Sequence, residues 1–287
     1  MTDAETLESA PLLDFRAVTT LEHEHRRLMD EHHSRVDFST STASSLPEDL
    51  RRELADLWRG RTRSEHRSVS IFATYTLDLL AAGAPASALS VACRAQLDEV
   101  RHAELFASLT RCYSDRDETP PAGISPIPDD ASLSLVELAA VEALHLCVGA
   151  ETFSCALLHA LYGRARDPAV RSCVGVVLSD EIHHARMGWS YLRATLDDAS
   201  LRATVQRELV PVFDGLHRGL FGTTRDEVDP LDAYGDVARD HGYMPTREQR
   251  ALFAALVRDV WTPALPTLGL DPSALDGRYE LGATAVT

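Results

Sequence analysis

Two short stretches decide how this chain folds: Asp98-Glu99-Val100-Arg101-His102-Ala103 and Asp180-Glu181-Ile182-His183-His184-Ala185. Both read D-E-x-[RH]-H-A. In each, a Glu and a His stand three residues apart, so on a helix they project from one face about a turn apart. A carboxylate oxygen and an imidazole nitrogen so placed can grip one metal ion. The chain holds two other Glu-x-x-His pairs, Glu22/His25 in a polar N-terminal arm and Glu142/His145. Neither shares the flanking Asp and Ala, and both are read as incidental.

Working outward, helical periodicity dominates and β-branched alternation is nearly absent. Pro47-Glu48-Asp49 reads as a helix start, with proline in the first turn and acids at the positive end of the dipole. That helix is expected to reach about Leu80 and stop at Ala82-Gly83-Ala84-Pro85. A second runs from about Ser87 to Tyr113 and carries the first motif. The Pro/Gly-rich stretch Asp115–Asp130 reads as a long loop. A third helix runs from about Ser134 to Tyr162. Asp167-Pro168 forms an N-cap with an N1 proline and opens a fourth, to about Leu196, carrying the second motif. Tight turns make each pair an antiparallel hairpin. The expected fold is all-α: a ferritin-like antiparallel four-helix bundle with one long crossover, plus accessory helices at both ends. The division is an N-terminal arm over 1–46, the bundle over 47–198 and a helical extension over 199–287. Helices near 199–220 and 247–265 are expected in the extension, the latter with a Thr246/Gln249 capping box. The tail after Leu270 reads as irregular.

A dinuclear site needs one more carboxylate from each partner helix. Glu65 precedes Glu99 by 34 residues and Glu151 precedes Glu181 by 30, near-equal spacings that suggest an internal duplication. Counted from their turns, these residues lie at matched depths of ~17–25 Å at the α-helical rise. Glu142 is nine residues from Glu151, which on an α-helix turns it to the opposite face. The expected metal ligands and catalytic residues are therefore Glu65, Glu99, His102, Glu151, Glu181 and His184. Apolar neighbours such as Val69, Phe72, Val148 and Ala185 share their stripes, and buried carboxylates there are costly unless neutralised. Four carboxylates and two neutral imidazoles balance two divalent ions. Salt bridges on a solvated face are the competing reading, but Arg partners are missing from the stripe at these levels. Zinc alone fits less well, since it usually takes four ligands per ion and often thiolates.

With these residues in place, the sequence resembles the ferritin-like di-iron carboxylate superfamily, of the ribonucleotide reductase small subunit and di-iron oxygenase type. The match covers about residues 48–196. By that resemblance, Asp98 and Asp180 would each hydrogen-bond the metal-binding His of the opposite hairpin and fix its tautomer. Where reductase small subunits carry a radical Tyr, seven residues after the helix-two Glu, this chain has Phe106. Where related arylamine N-oxygenases carry an extra His, four residues before the last Glu, it has Val177. The resemblance implies an O2-activating non-haem di-iron oxidase or oxygenase acting on a small organic substrate. Its cofactors would be two iron ions (Fe2+/Fe3+) with O2 as cosubstrate, manganese being the alternative in one or both positions. Cys147, Cys155, Phe106, Val177 and Gly188 are candidate pocket-lining residues, with Cys147 and Cys155 one turn either side of Glu151. Small buried packers and, at Gly188, close helix packing are the competing readings. The functional alternatives are a ferroxidase or iron-handling protein, a peroxide-reducing protein or dimanganese catalase, and a non-catalytic helical scaffold.

Composition narrows the partners. The 287 residues contain no Lys and no Asn, and 28 Arg face 44 acids for a net charge of −16. No lysine means no Schiff-base enzyme, lysine-bound pyridoxal phosphate or P-loop. The acidic excess argues against nucleic acid. Five cysteines without CxxC spacing read as reduced thiols of a cytoplasmic protein. No signal peptide and no apolar run approaching the ~20 residues of a membrane span are seen. A small-molecule substrate, an unknown electron donor and a homodimer are expected. His23, His25, His32 and His33 read as a solvated N-terminal cluster.

Overall fold

The computed structural model describes residues 25–29, 35–114, 132–222 and 229–280. Among them every regular element is helical. The long helices are α1 (Glu48–Ala81), α2 (Ala86–Tyr113), α3 (Leu135–Arg164) and α4 (Pro168–Thr195). They are followed by α5 (Ala199–Phe221), α6 (Gly235–Asp240) and α7 (Thr246–Leu256). The stretch 115–130, read as a loop, lies outside the described residues, as do His23, His32 and His33.

The helix starts follow local chemistry. α1 opens behind Pro47 with Glu48 and Asp49 in its first turn. Asp167 caps α4, its carboxylate accepting from the Val170 amide at 2.9 Å with Pro168 in the first turn. Between α1 and α2 the chain reverses through Gly83, whose φ of 75° lies in the left-handed region that glycine occupies without strain. The capping box lies elsewhere than expected. Ser134 and Glu137 form it at the start of α3. At α7, Pro245 occupies the cap position, Thr246 is already helical, and the Gln249 amide donates instead to the Met244 carbonyl (2.7 Å).

α3 is not uniformly α-helical. Ala143–Glu151 forms a π-helix between two α-helical halves. The 100°-per-residue argument that turned Glu142 away from Glu151 therefore fails across this segment. Glu142 faces Tyr75 and Cys147 instead. By length and composition Leu135–Arg164 could cross a membrane, which revises the expectation that no such stretch exists. Half of its apolar window is buried inside the protein, against α4 and the C-terminal helices.

Two apolar clusters form the core. One joins Phe72 and Leu79 of α1 to Leu144 and Val148 of α3, and extends to Phe213, Phe253 and Trp261. Trp261 is fully buried and its indole N–H donates to the Val148 carbonyl at 2.8 Å, which pins the C-terminal segment to the π-helix. The tail beyond Leu270 holds one 3-10 turn, and its Tyr279 packs on Phe253 and His217. The other cluster joins Trp58, Leu105, Phe106, Leu158, Val170 and Val177. Between the two, the helices carry a polar layer: Glu65 on α1, Asp98 to His102 on α2, Glu151 on α3 and Asp180 to His184 on α4.

Candidate metal centre

The polar layer is a single cluster. His184 Nδ1 lies 3.1 Å from Glu99 Oε1 and 3.3 Å from Glu181 Oε2. His102 Nδ1 lies 3.4 Å from Glu181 Oε1, and 3.7 Å from both Glu65 Oε2 and Glu99 Oε2. Two donor sets result, each with its ligand atoms within 4.8 Å of one another. One comprises Glu65, Glu99, His102 and Glu181. The other comprises Glu99, Glu151, Glu181 and His184. All six sequence-predicted residues are thus brought together. Glu99 and Glu181 belong to both sets, while each remaining Glu pairs with one His. Five of the six are buried and Glu65 is the partly exposed one.

Protein groups alone do not satisfy this cluster. Glu99 Oε1, Glu181 Oε2, His102 Nδ1 and His184 Nδ1 are buried without a hydrogen-bond partner. Each such atom costs about 1–3 kcal/mol, and native interiors rarely leave several together. A divalent cation in each donor set would satisfy all four. Each donor set could therefore hold a metal ion, and four carboxylates with two neutral imidazoles would balance two divalent charges.

The outer nitrogens of the two imidazoles each face an acid of the opposite hairpin. His102 Nε2 on α2 lies 3.4 Å from Asp180 Oδ2 on α4, and His184 Nε2 on α4 lies 3.7 Å from Asp98 Oδ2 on α2. Asp180 is thus within hydrogen-bond distance of His102, while His184 Nε2 is buried beside Asp98 without a hydrogen-bond partner, and both Nδ1 atoms face the carboxylates. Asp98 is itself clamped by Arg94 Nε (2.8 and 3.0 Å) and Arg101 Nη1 (2.7 Å). Burial works against its charge, but His184, Arg94 and Arg101 hold its carboxyl down at about 2. Arg101 also donates to the Leu28 carbonyl, and His25 lies 3.7 Å from Glu104, so helical residues 25–29 sit behind this corner. The expectation that arginines are absent at these levels is therefore corrected: Arg94 and Arg101 reach the layer through Asp98. Arg61, one turn before Glu65, was also missed. Its i−4 spacing from Glu65 and i+3 spacing from Trp58 were the available signal.

Without a cation the cluster must hold protons. Burial pushes the Glu65 carboxyl up to about 8, Glu99 and Glu181 adding to the rise and His102 opposing it. Burial and the Glu181 carboxylate raise Glu151 well above the usual range. Burial opposes charge on both imidazoles. Asp180 and the carboxylates outweigh it at His102, as Asp98 and the carboxylates do at His184, so both rise. At Glu181 burial is outweighed in the other direction, by Glu151, His102 and His184, and its carboxyl falls. A group raised on folding stabilises fully below its unfolded pKa, and that contribution is lost as pH climbs through the folded value. For Glu65 the window runs from 4.5 to about 8. Glu151 and both His residues have the same sign, while Glu181 has the opposite one. Metal-free protein should therefore lose thermal stability as pH rises from about 5 to 8, and bound divalent metal should flatten that slope by replacing the protons. Melting curves across this range, with and without metal, provide the check. A metal-free midpoint that stays level or rises overturns the assignment.

The candidate pocket residues divide. Cys147, Phe106 and Val177 are completely buried, with Phe106 stacked 5.4 Å from the Trp58 ring centroid. Cys155 is partly exposed and its thiol is pushed up to about 12 by burial and by Glu181. Gly188 opens no space: a Cβ there would lie 2.3 Å from Cys147 Cβ. Of the five cysteines, Cys147 and Cys173 are buried and Cys93 is exposed, and all are free thiols.

No family model, curated protein or solved structure matches this chain. The geometry of the buried Glu/His cluster carries the functional reading.

Proposed function

We propose that this protein is a ferritin-like di-iron carboxylate enzyme, an oxidase or oxygenase acting on a small organic substrate. On this reading α1–α4 form an antiparallel four-helix bundle with one long crossover between α2 and α3. The observation that carries it is the pair of donor sets sharing Glu99 and Glu181, with unpartnered buried atoms aimed inward. Glu99 and Glu181 would bridge the two ions. Glu65 with His102, and Glu151 with His184, would complete one ion each. The set offers only carboxylate oxygens and imidazole nitrogens, a choice that suits iron or manganese better than a thiolate-rich zinc site. No cysteine sulfur belongs to either donor set. Iron bound here would supply O2 reduction.

The chain's own residues do the rest. Asp98 and Asp180 fix the imidazole orientation. The Phe72 ring, edge-on to His184 at 5.2 Å, and the two apolar clusters exclude water. The partly exposed Glu65 marks the side on which small molecules exchange. Anaerobic Fe(II) reconstitution should give two irons per chain, and O2 should then produce an absorbance transient. Absence of either result removes the di-iron reading. Rapid peroxide disproportionation, or assembly into an iron-storing shell, would favour an iron-handling role instead.

A further inference from the structure

The inner seam of α1 is apolar and buried at its ends but polar and partly exposed in the middle. Trp58, Phe72 and Leu79 are completely buried. Arg61, Glu65 and Ser68, on the same alternating three-and-four spacing, are only partly so. A core seam would place apolar side chains at these three positions. The close backbone approach of α1 to α3 falls on Leu135–Glu142, away from this level. On α3 the facing level holds Ser154 and Cys155, small and partly exposed, with the Cys155 thiol near enough to Glu181 to feel its charge. The seam is therefore more polar and more exposed beside Glu65 than at either end.

Arg61 stands in that gap. Its guanidinium carbon lies 5.4 Å from the Trp58 ring centroid, and its Nε is buried with no hydrogen-bond partner. Glu65, one turn away, acts on Arg61 through its charge but makes no hydrogen bond to Nε, and its Oε2 lies 3.7 Å from His102 Nδ1. A guanidinium keeps its proton under any ordinary condition, so the cost of burying it is not relieved by neutralisation. An unmatched buried donor of this strength calls for an acceptor. Its planar fork suits a carboxylate. A phosphate dianion would be repelled more strongly by the four neighbouring carboxylates than a monoanion.

We propose that Arg61 docks the carboxylate of a small organic acid, which lies between α1 and α3 with its other end at the metal centre. This rests on the di-iron reading for what happens to the acid, but not for its binding. Because Arg61 and Glu65 are one turn apart, the acid presents its reactive group about 5 Å from its carboxylate.

The test is calorimetric titration of metal-loaded protein with acetate, hexanoate, benzoate and phenylacetate, in parallel with their primary amides. At least one acid should bind saturably, about tenfold or more tightly than its amide. Trp58 fluorescence should respond to the acid. Arg61→Gln should erase the acid-over-amide preference while keeping two ions per chain. Overturning results are that no acid binds saturably, that acid and amide bind alike, or that Arg61→Gln binds the acid as the native protein does. The acid–amide comparison is repeated on metal-free protein, where no ion can ligate the acid, so a misfolded Arg61→Gln leaves it decisive. Metal content measured on the same samples separates the two readings. Native protein without two ions sinks the di-iron assignment, and the acid–amide comparison then judges Arg61 by itself.

Discussion

Glu181→Ala should empty both metal positions, whereas Glu65→Ala should leave one filled. The difference follows from the way the donor sets overlap. Glu181 and Glu99 each belong to both sets, while Glu65 belongs to one. Removing Glu181 also takes away the carboxylate facing both imidazoles, at 3.4 Å from His102 and 3.3 Å from His184. Replacing an outer hydrogen-bonding partner of a metal ligand typically weakens binding by about 10–100-fold, and losing a shared ligand should exceed that for both ions. Glu65→Ala removes a partly exposed member of one donor set and leaves the Glu99, Glu151, Glu181 and His184 set intact. Metal per chain after reconstitution and desalting reads the outcome, with circular dichroism to establish that each variant is helical. Two ions retained by Glu181→Ala would falsify the shared-carboxylate arrangement. So would equal losses from Glu65→Ala and Glu181→Ala.

The second large effect concerns packing. Gly188→Ala should destabilise the protein by about 3 kcal/mol, although alanine is the better helix former by about 1 kcal/mol. The added Cβ would lie 2.3 Å from Cys147 Cβ, 3.0 Å from the Ala143 carbonyl oxygen and 3.3 Å from the Val148 nitrogen. All three belong to the π-helical segment and sit on or next to backbone, so no flexible tip can swing away. α4 would have to move off α3 one turn from His184, and metal retention should fall as well. Gly149→Ala is the control. Its Cβ would meet the flexible Leu216 Cδ2 at 2.9 Å and the Leu144 carbonyl at 3.3 Å, so helix propensity and mild crowding nearly cancel. Cys147→Ala should not relieve Gly188→Ala, because the clash is with Cβ, whereas Cys147→Gly should relieve it in part. Urea denaturation of these variants measures the differences. Gly188→Ala as stable as Gly149→Ala would show that the helices have room to part.

The six clustered residues were legible because two constraints coincide on them. The three-residue Glu–His spacing has meaning only on a helix, and Asp167-Pro168 and Pro47-Glu48-Asp49 mark where the helices begin. Helical rise then sets the depth of Glu65 and Glu151 against their hairpin partners, so a one-dimensional count predicts a three-dimensional meeting. The misjudged features depend on what crosses between helices. The π-segment alters the angular register between Ala143 and Glu151, although Glu142 still lies outside both donor sets. No local propensity signal announces it, because π-helical hydrogen bonding is retained where tertiary packing demands it. Gly188 illustrates the same point: its role depends on where Cys147 lies in a helix about forty residues earlier.

By itself the sequence determined the all-α class, the helix ends and the six residues of one polar layer. These rest on local capping chemistry and on a fixed rise per residue, both of which operate within a single helix. Only the tertiary structure decided that Glu99 and Glu181 are common to both donor sets. It also showed that Asp98 and Asp180 each face the opposite hairpin's His, and that Arg61 Nε, one turn from Glu65, is buried without a hydrogen-bond partner. Those outcomes depend on the distance and rotation between helices. Side-chain packing across the interface sets both, and the order of residues along any one helix does not record them.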